Sequence, residues 1–311
     1  MSMNTTEMQT QTQGEVWPVM LTPFTESGEV DYTSLERLVE WYEENGATGL
    51  FAACQSSEVF YLSLSERIKI TETICKKAHI PVITSGHISY GLEDQKEELK
   101  RLAETGVEAL VLITNRMAEQ GEEESVWMAN LEKLLEALPK SMPLGFYECP
   151  YPYKHLLSDE EISFSAQTGR FRFLKDTCCD LARIQKRLQL IKGTPLKLYN
   201  ANTATLLESL RSGCSGFSGV MANFHPKLYT WLCKNWNQYP EKAEELQAFL
   251  TMCSYIEGRL YPTNAKYFLM KQGILSSDYC RVQNYKELTP LLCDEVQQLK
   301  IVSEKLEKIF L

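Results

Sequence analysis

The chain lacks several features that would place it in common functional classes. It has no run of lysines and arginines, and its 41 acidic residues outnumber 32 basic ones, for a formal charge of −9. This balance argues against binding to nucleic acid or to an anionic membrane surface. No apolar stretch approaches the roughly 18 residues that a membrane-spanning helix needs. The sequence therefore predicts a protein that binds neither nucleic acid nor membranes.

The usual patterns of metal binding and secretion are also missing. The 10 cysteines form no CxxC pair and no Cys/His pattern with metal-ligand spacing, and the N-terminus has no apolar signal segment. Reduced thiols in a cytoplasmic protein are the expectation. No GxGxxG motif follows the first predicted strand, which argues against a dinucleotide-binding fold.

What the chain does contain is a regular alternation of short apolar runs with helical patterns. Residues 1–14 are mostly Thr, Gln, Met and Ser, and we predict a disordered tail there. Eight strand candidates follow, with helix-like apolar spacing between them. They are Val16–Phe24, Gly49–Cys54, Pro81–Gly86, Ala109–Thr114, Pro143–Glu148, Phe171–Asp176, Leu196–Asn200 and Gly216–Val220.

A recurrent joint marks the passage from a helix to the next strand. Gly46, Gly106 and Gly213 each precede a strand candidate by a few residues. A glycine at this position can take the left-handed conformation that ends a helix. Because the joint recurs, we predict one (β/α)₈ TIM barrel over residues 15–225. The helical patterns from residue 226 to 311 predict a C-terminal helical extension.

The ends of two successive strands supply an amine and a phenol. Lys175 lies near the end of Phe171–Asp176, and Tyr147 lies near the end of Pro143–Glu148. Reactive groups of such barrels lie where strands end, so these two side chains should share the barrel mouth with Asn200. A lysine amine attacks a keto carbon only when it is neutral, and burial favours the neutral form. The pair therefore predicts imine chemistry, with Tyr147 as the proton relay.

The surrounding motifs resemble a known family. Tyr147-x-x-Pro150 followed by Phe-Leu-Lys175-Asp-Thr is similar to the dihydrodipicolinate synthase / N-acetylneuraminate lyase family of class I, pyruvate-dependent aldolases, and the likeness extends over residues 15 to about 275. The resemblance implies a Schiff base between Lys175 and a 2-oxo acid, pyruvate being the expected one, with an aldehyde or sugar acid as second substrate. It also implies a homotetramer or homodimer and no metal or organic cofactor.

The chain departs from the family pattern in its carboxylate-binding turn. The family has Gly-Ser/Thr-Thr-Gly-Glu where this sequence has Cys54-Gln-Ser-Ser-Glu58. Gln55, Ser56 and Ser57 are nevertheless the predicted carboxylate contacts, because successive backbone amides in a turn bind anions. A serine at a glycine position would be strained if its φ were positive.

Two further positions are candidate substrate contacts. Arg116, after the fourth strand, is a candidate for the distal end of the substrate, and Val220 ends the eighth strand candidate. The arginine that follows Tyr-x-x-Pro in true dihydrodipicolinate synthases and the interface tyrosine expected after strand four are both missing. A generic 2-oxo-acid aldolase or lyase is therefore favoured. Dihydrodipicolinate synthase itself and a catalytically inactive binding or regulatory barrel remain alternatives, since the fold alone does not fix the function.

Overall fold

The computed structural model describes residues 13–282 and 287–311. The predicted tail lies outside the described residues except for its last two members. At Gly14, the backbone N–H donates a hydrogen bond of 3.1 Å to the carbonyl of Cys233. The chain is therefore already attached to the barrel at this point.

Eight strands form one parallel sheet in the described part of the chain. Their order is β1-β8-β7-β6-β5-β4-β3-β2, so consecutive strands from β2 to β8 are neighbours and β1 pairs with β8. The strands are β1 Glu15–Val16, β2 Leu50–Phe51, β3 Val82–Thr84, β4 Ala109–Ile113, β5 Leu144–Tyr147, β6 Phe171–Asp176, β7 Lys197–Asn200 and β8 Gly216–Phe217. Most are shorter than the apolar runs that predicted them, because those runs continue into buried loops.

The sheet curls until its two edges meet. A parallel bridge joins Val19 to Phe51, and the N–H of Phe51 donates to the carbonyl of Pro18 at 3.0 Å. The segment after β1 is thereby joined to β2. The predicted (β/α)₈ barrel is confirmed.

Eleven α-helices surround and extend the barrel in the described residues. They are α1 Tyr32–Glu44, α2 Leu64–Lys77, α3 Leu92–Ala103, α4 Glu124–Ala137, α5 Asp159–Gln167, α6 Leu181–Leu190, α7 Leu206–Arg211, α8 Pro226–Asn235, α9 Pro240–Cys253, α10 Thr263–Met270 and α11 Pro290–Phe310. None of these helices combines the length and apolar character needed to cross a bilayer.

The helix-to-strand joints behave as the sequence predicts. Gly46, Gly106 and Gly213 have φ angles of 86°, 93° and 99°, which lie in the left-handed region. The predicted boundary at residue 225 falls just before α8, and α8 packs against β1 and β8 as the eighth barrel helix. In the described residues no strand follows α8, which is why the sequence pattern does not distinguish α8 from the extension helices. The helices that extend the barrel begin with α9.

Candidate active site

The register between β5 and β6 brings the two predicted reactive side chains together. Tyr147 and Lys175 are directly paired across these strands. Neighbouring parallel strands in register send paired side chains to the same face. The Lys175 Nζ lies 4.4 Å from the centroid of the Tyr147 ring, inside the barrel mouth. The predicted proximity of amine and phenol is thus present in the structure.

Lys175 is a buried lysine without a counter-ion. Its side chain is 4% exposed, and no ion pair to it occurs among the residues that the structure describes. Burial lowers the pKa of this amine, and the neighbouring Cys54, Cys149 and Glu257 oppose the shift only in part. A lowered pKa increases the neutral fraction that can attack a carbonyl carbon.

The acidic neighbours of the pair face the opposite side of the sheet. Asp176 follows Lys175 and Glu148 follows Tyr147, so their side chains alternate away from the barrel interior. Both carboxylates bind Arg187 of α6, whose Nη1 lies 3.1 Å from Oε2 of Glu148. Glu148 also accepts the N–H of Thr177 at 3.0 Å. This ion-pair cluster ties the ends of β5 and β6 together and leaves Lys175 uncompensated.

The phenol of Tyr147 is also fully enclosed. Burial is the main cause that raises its pKa well above the ordinary value, and the neighbouring Cys149 and Cys54 add to it. The ring packs edge-on against Phe51, with 5.7 Å between the ring centroids. The phenol therefore stays protonated at neutral pH and can pass protons on through its hydroxyl.

A cavity of about 340 Å³ opens over the two side chains. This volume lies in the range of small-molecule sites. The lining comes from loops after several strands and from the C-terminal helices. It includes Gln55, Ser56, Tyr147, Pro150, Lys154, Lys175, Thr177, Cys179, Ala201, Asn202, Gly219, Val220, Glu257, Tyr261, Pro262 and Val282.

Only two of the three residues predicted as carboxylate contacts in the turn after β2 line the cavity. Gln55–Ser57 forms a single 3₁₀ turn, and the N–H of Ser57 donates to the carbonyl of Cys54 at 3.0 Å. The Ser57 hydroxyl donates to the carbonyl of Met20 at 2.6 Å, so this residue supports the turn and does not line the cavity. Gln55 and Ser56 do line it.

The positive φ considered for a serine of this turn occurs instead at Glu58. Neither Ser56 nor Ser57 has a positive φ, whereas Glu58 has a φ of 59°. Its carboxylate pairs with Lys266 and accepts the N–H groups of Arg281 and Val282 at 2.5 and 2.8 Å. These contacts hold the turn in its left-handed conformation.

The structure distributes the other predicted contacts differently. Val220 lines the cavity. Asn200 does not, because its amide donates to the hydroxyls of Thr205 at 2.9 Å and Ser209 at 3.0 Å. Its side-chain oxygen accepts the N–H of Asn202, and it is Asn202 that reaches the cavity.

Arg116 lies in a neighbouring cavity of about 590 Å³. Its guanidinium carbon stands 4.7 Å from the ring centroid of Tyr90 and 5.2 Å from that of Phe60. The structure therefore does not bring Arg116 to the lysine cavity. The sequence shows that Arg116 follows the fourth strand. It does not show which cavity the side chain enters, because the path of the loop depends on tertiary packing.

Sequence reasoning missed the contribution of the C-terminal segments. Glu257 and Tyr261 follow α9 and line the cavity beside Lys175. No motif marks them, because they belong to a stretch whose helical pattern resembles that of an ordinary surface extension. Lys154 also lines the cavity, where its Nζ donates to the carbonyl of Thr177 at 2.8 Å.

No group of three or more His, Cys, Asp and Glu side chains is arranged to hold a metal ion in residues 13–282 and 287–311. The cationic and hydrogen-bonding groups of the cavity suit a small organic anion.

Known proteins resemble this chain along most of its length. The model of the dihydrodipicolinate synthetase family matches residues 12–300. A 4-hydroxy-tetrahydrodipicolinate synthase of Pseudoalteromonas atlantica is 26% identical over 276 residues, which cover 85% of this chain and 89% of the relative. Its counterpart from Jannaschia sp. is 28% identical over 216 residues, covering 68% and 71% of the two chains.

Solved structures agree with the fold. The dihydrodipicolinate synthase of Acinetobacter baumannii, solved in complex with pyruvate, superposes with a TM-score of 0.83 at 22% identity and covers 94% of this chain and 99% of its own. That of Bacillus anthracis gives a TM-score of 0.83 at 18% identity, with coverages of 93% and 97%. With a family model matched over nearly its whole length and a barrel shared with these enzymes, the chain belongs to the dihydrodipicolinate synthetase family.

Proposed function

We propose that the protein is a class I aldolase or lyase that forms a Schiff base between Lys175 and a 2-oxo acid, with pyruvate as the substrate. The observation that supports this most directly is the buried, uncompensated Nζ of Lys175, placed 4.4 Å from the Tyr147 ring centroid in a cavity. The relative from Acinetobacter baumannii was solved with pyruvate, which is consistent with this substrate.

The chemistry begins with attack of the neutral amine on the keto carbon. The carbonyl oxygen becomes a hydroxyl of the carbinolamine, and its loss as water leaves the imine. Tyr147 passes the protons that these two steps need, since its hydroxyl stays protonated and its ring centroid lies 4.4 Å from the amine. The imine nitrogen then takes up the electron pair when a C–C bond to an aldehyde acceptor is broken.

The carboxylate of the 2-oxo acid is proposed to bind at the turn after β2. Gln55 and Ser56 line the cavity there, and Val220 supplies an apolar side. A hydroxyl, an amide and a backbone turn offer neutral hydrogen-bond donors to an anion. The carboxylate would then lie beside the attacking amine of Lys175, which orients the keto carbon.

A second candidate function is the condensation reaction after which the relatives are named. The curated relatives are described as 4-hydroxy-tetrahydrodipicolinate synthases, which favours pyruvate condensation with aspartate semialdehyde as an alternative. The same Lys175 imine would serve both reactions. A screen of aldehyde acceptors after imine formation separates them, because only one acceptor would react in the synthase case.

The test of the proposal is chemical trapping. The protein is incubated with pyruvate and borohydride, and its mass is measured. We expect one reduced adduct on Lys175, absent in Lys175→Ala and retained in Lys192→Ala, which removes an exposed lysine after α6. If no small 2-oxo acid gives an adduct with the wild-type protein, the proposal fails and a barrel without this activity remains.

We also propose a reducing, cytoplasmic setting and a homotetramer or homodimer. All 10 cysteines lie in the described residues and are free thiols, which suits a reducing compartment. The assembly is taken from the family resemblance, and a dihydrodipicolinate synthase variant described as monomeric has a similar fold. Sedimentation of the purified chain distinguishes these states.

A further inference from the structure

A single carboxylate lines the lysine cavity among the described residues. Glu257 lies in the 3₁₀ segment Ser254–Gly258, which connects α9 to α10. Its side chain borders the same space as Lys175 and Tyr147. The other acidic groups near the strand ends, Glu148 and Asp176, face Arg187 on the far side of the sheet. Glu257 is therefore the acid group that a bound substrate would meet.

Imine chemistry needs a group that can hold a proton between two steps. Tyr147 relays protons, but burial disfavours its phenolate, so it is poorly suited to keep one away from the substrate. The side chain of Gln55 ends in an amide, which cannot take up a proton at neutral pH. In the imine, the nitrogen of Lys175 is bonded to the substrate and is not available as a base. Of the cavity groups considered, a carboxylate is best suited to store the proton.

We propose that Glu257 is the base that removes a C3 proton from the Lys175-bound 2-oxo acid and the acid that returns it to the acceptor oxygen. This inference rests on the function proposed above and deepens it. It follows from the placement of Glu257 in the cavity that holds Lys175 and Tyr147.

The step balances without any further reactant. The C3–H bond breaks, its electron pair forms the C2=C3 double bond, and the iminium nitrogen receives the former C=N pair. The proton moves to the Glu257 carboxylate. The enamine carbon then attacks the aldehyde, the new C–C bond forms, and the aldehyde oxygen takes the proton from Glu257. In the cleavage direction, the same transfers run in reverse.

The electrostatic surroundings suit this task. Burial raises the pKa of Glu257 to about 7, while the positive charge on Lys175 acts in the opposite direction. A group with a pKa near the working pH is effective both as a base and as an acid. The titratable groups facing Glu257 are Lys175 from β6, Cys179 after it, Tyr229 from α8 and Tyr261 before α10. Lys154 adds a cation to the same cavity.

Two readouts separate this inference from the proposed function. Borohydride trapping with pyruvate reports imine formation, and NMR detection of deuterium uptake into the pyruvate methyl group reports removal of the C3 proton. Neither readout requires the acceptor. For Glu257→Gln, we expect trapping to persist while exchange per trapped imine falls about 100-fold or more. Glu257→Asp should restore part of the exchange.

The pH profile supplies a further criterion. Exchange per imine in the wild-type protein should rise as the pH passes through about 7, because the carboxylate form is the base. Glu257→Gln should lack this rise. The matched control is Glu245→Gln, an exposed glutamate on α9, which should keep both the rate and the profile of the wild type.

Each outcome bears on a different claim. No adduct in the wild-type protein overturns the proposed function and this inference with it. An adduct without methyl exchange in the wild type overturns the role of Glu257 alone. The role is also overturned if Glu257→Gln forms the imine and exchanges at the wild-type rate per imine.

Discussion

Two buried lysines lie near the segment Gln55–Glu58 and differ in their charged neighbours. The Nζ of Lys266 lies 4.4 Å from the ring centroid of Phe24, and that of Lys175 lies 4.4 Å from the ring centroid of Tyr147. Lys266 pairs with the carboxylate of Glu58 and donates to the carbonyl of Tyr279 at 2.9 Å. No carboxylate pairs with Lys175 in the described chain.

The difference shows what distinguishes a structural lysine from one that is proposed to react. Both side chains are buried, at 0% and 4% exposure, and both face an aromatic ring. Lys266 forms an ion pair with Glu58, whereas Lys175 forms none in the described residues and only shares its cavity with Glu257. A paired ammonium group is compensated in the interior, whereas an unpaired one favours the neutral amine. The position of the nearest carboxylate, not burial alone, separates the two roles.

The largest expected effect comes from breaking the compensated pair. Glu58→Gln leaves Lys266 buried without its counter-charge, and removal of one partner of a buried ion pair costs about 3–5 kcal/mol. The free energy of unfolding in urea should fall by that amount. Glutamine also offers one acceptor oxygen in place of the two that accept from Lys266, Arg281 and Val282.

Lys175→Met is the matched control for this experiment. It removes an amine that has no carboxylate partner and fills its space with an apolar chain, so we expect a much smaller change in unfolding free energy. If Lys175→Met destabilised the protein as much as Glu58→Gln, the contrast between the two lysines would be wrong.

The next effect concerns the phenol of Tyr147 beside the amine of Lys175. Tyr147→Phe keeps the ring over Lys175 and removes only the relay hydroxyl. We expect the rate of adduct formation with pyruvate to fall about 100-fold, since positioned proton transfer contributes at least that much. Rapid-quench trapping measures this rate. Tyr199→Phe, whose hydroxyl is bound to Glu15 near the start of the barrel, should leave the rate near that of the wild type.

The smallest effect tests an uncompensated buried base of another type. Burial lowers the pKa of His225 from 6.5 to about 3. Between these values the unfolded chain binds a proton that the folded chain does not, so stability falls as the pH falls. The slope is about 1.4 kcal/mol per pH unit for one such group. Unfolding free energies from pH 6 to pH 4 should show it.

His225→Gln removes this titration and keeps a polar partner for Ser303, whose hydroxyl lies 2.9 Å from Nδ1 of the histidine. The dependence of the unfolding free energy on pH should be shallower in the variant by about 1.4 kcal/mol per pH unit, the contribution of one proton. His87 is also buried and has a pKa of about 3, so its own contribution to the pH dependence of stability remains in the variant. An unchanged slope in His225→Gln would contradict the assignment.

Much of the candidate site could be predicted because the strands that carry it are marked by short apolar runs in the sequence. The ends of β5 and β6 come directly from two apolar runs, and parallel pairing in register then places Tyr147 beside Lys175. The roles of these two residues stay a prediction until trapping is done. Asn200 was predicted from the same rule, but its side chain is held by Thr205 and Ser209, which strand position alone does not reveal.

The sequence by itself determined the barrel, the joints at Gly46, Gly106 and Gly213, and the positions of the amine and the phenol along the chain. These depend on periodicity and on residues a few positions apart. Tertiary structure alone decided that Arg187 would take both neighbouring carboxylates and that Glu257 would reach the cavity. The physical reason is that charge compensation depends on which groups meet in space, and those groups come from segments far apart in the chain.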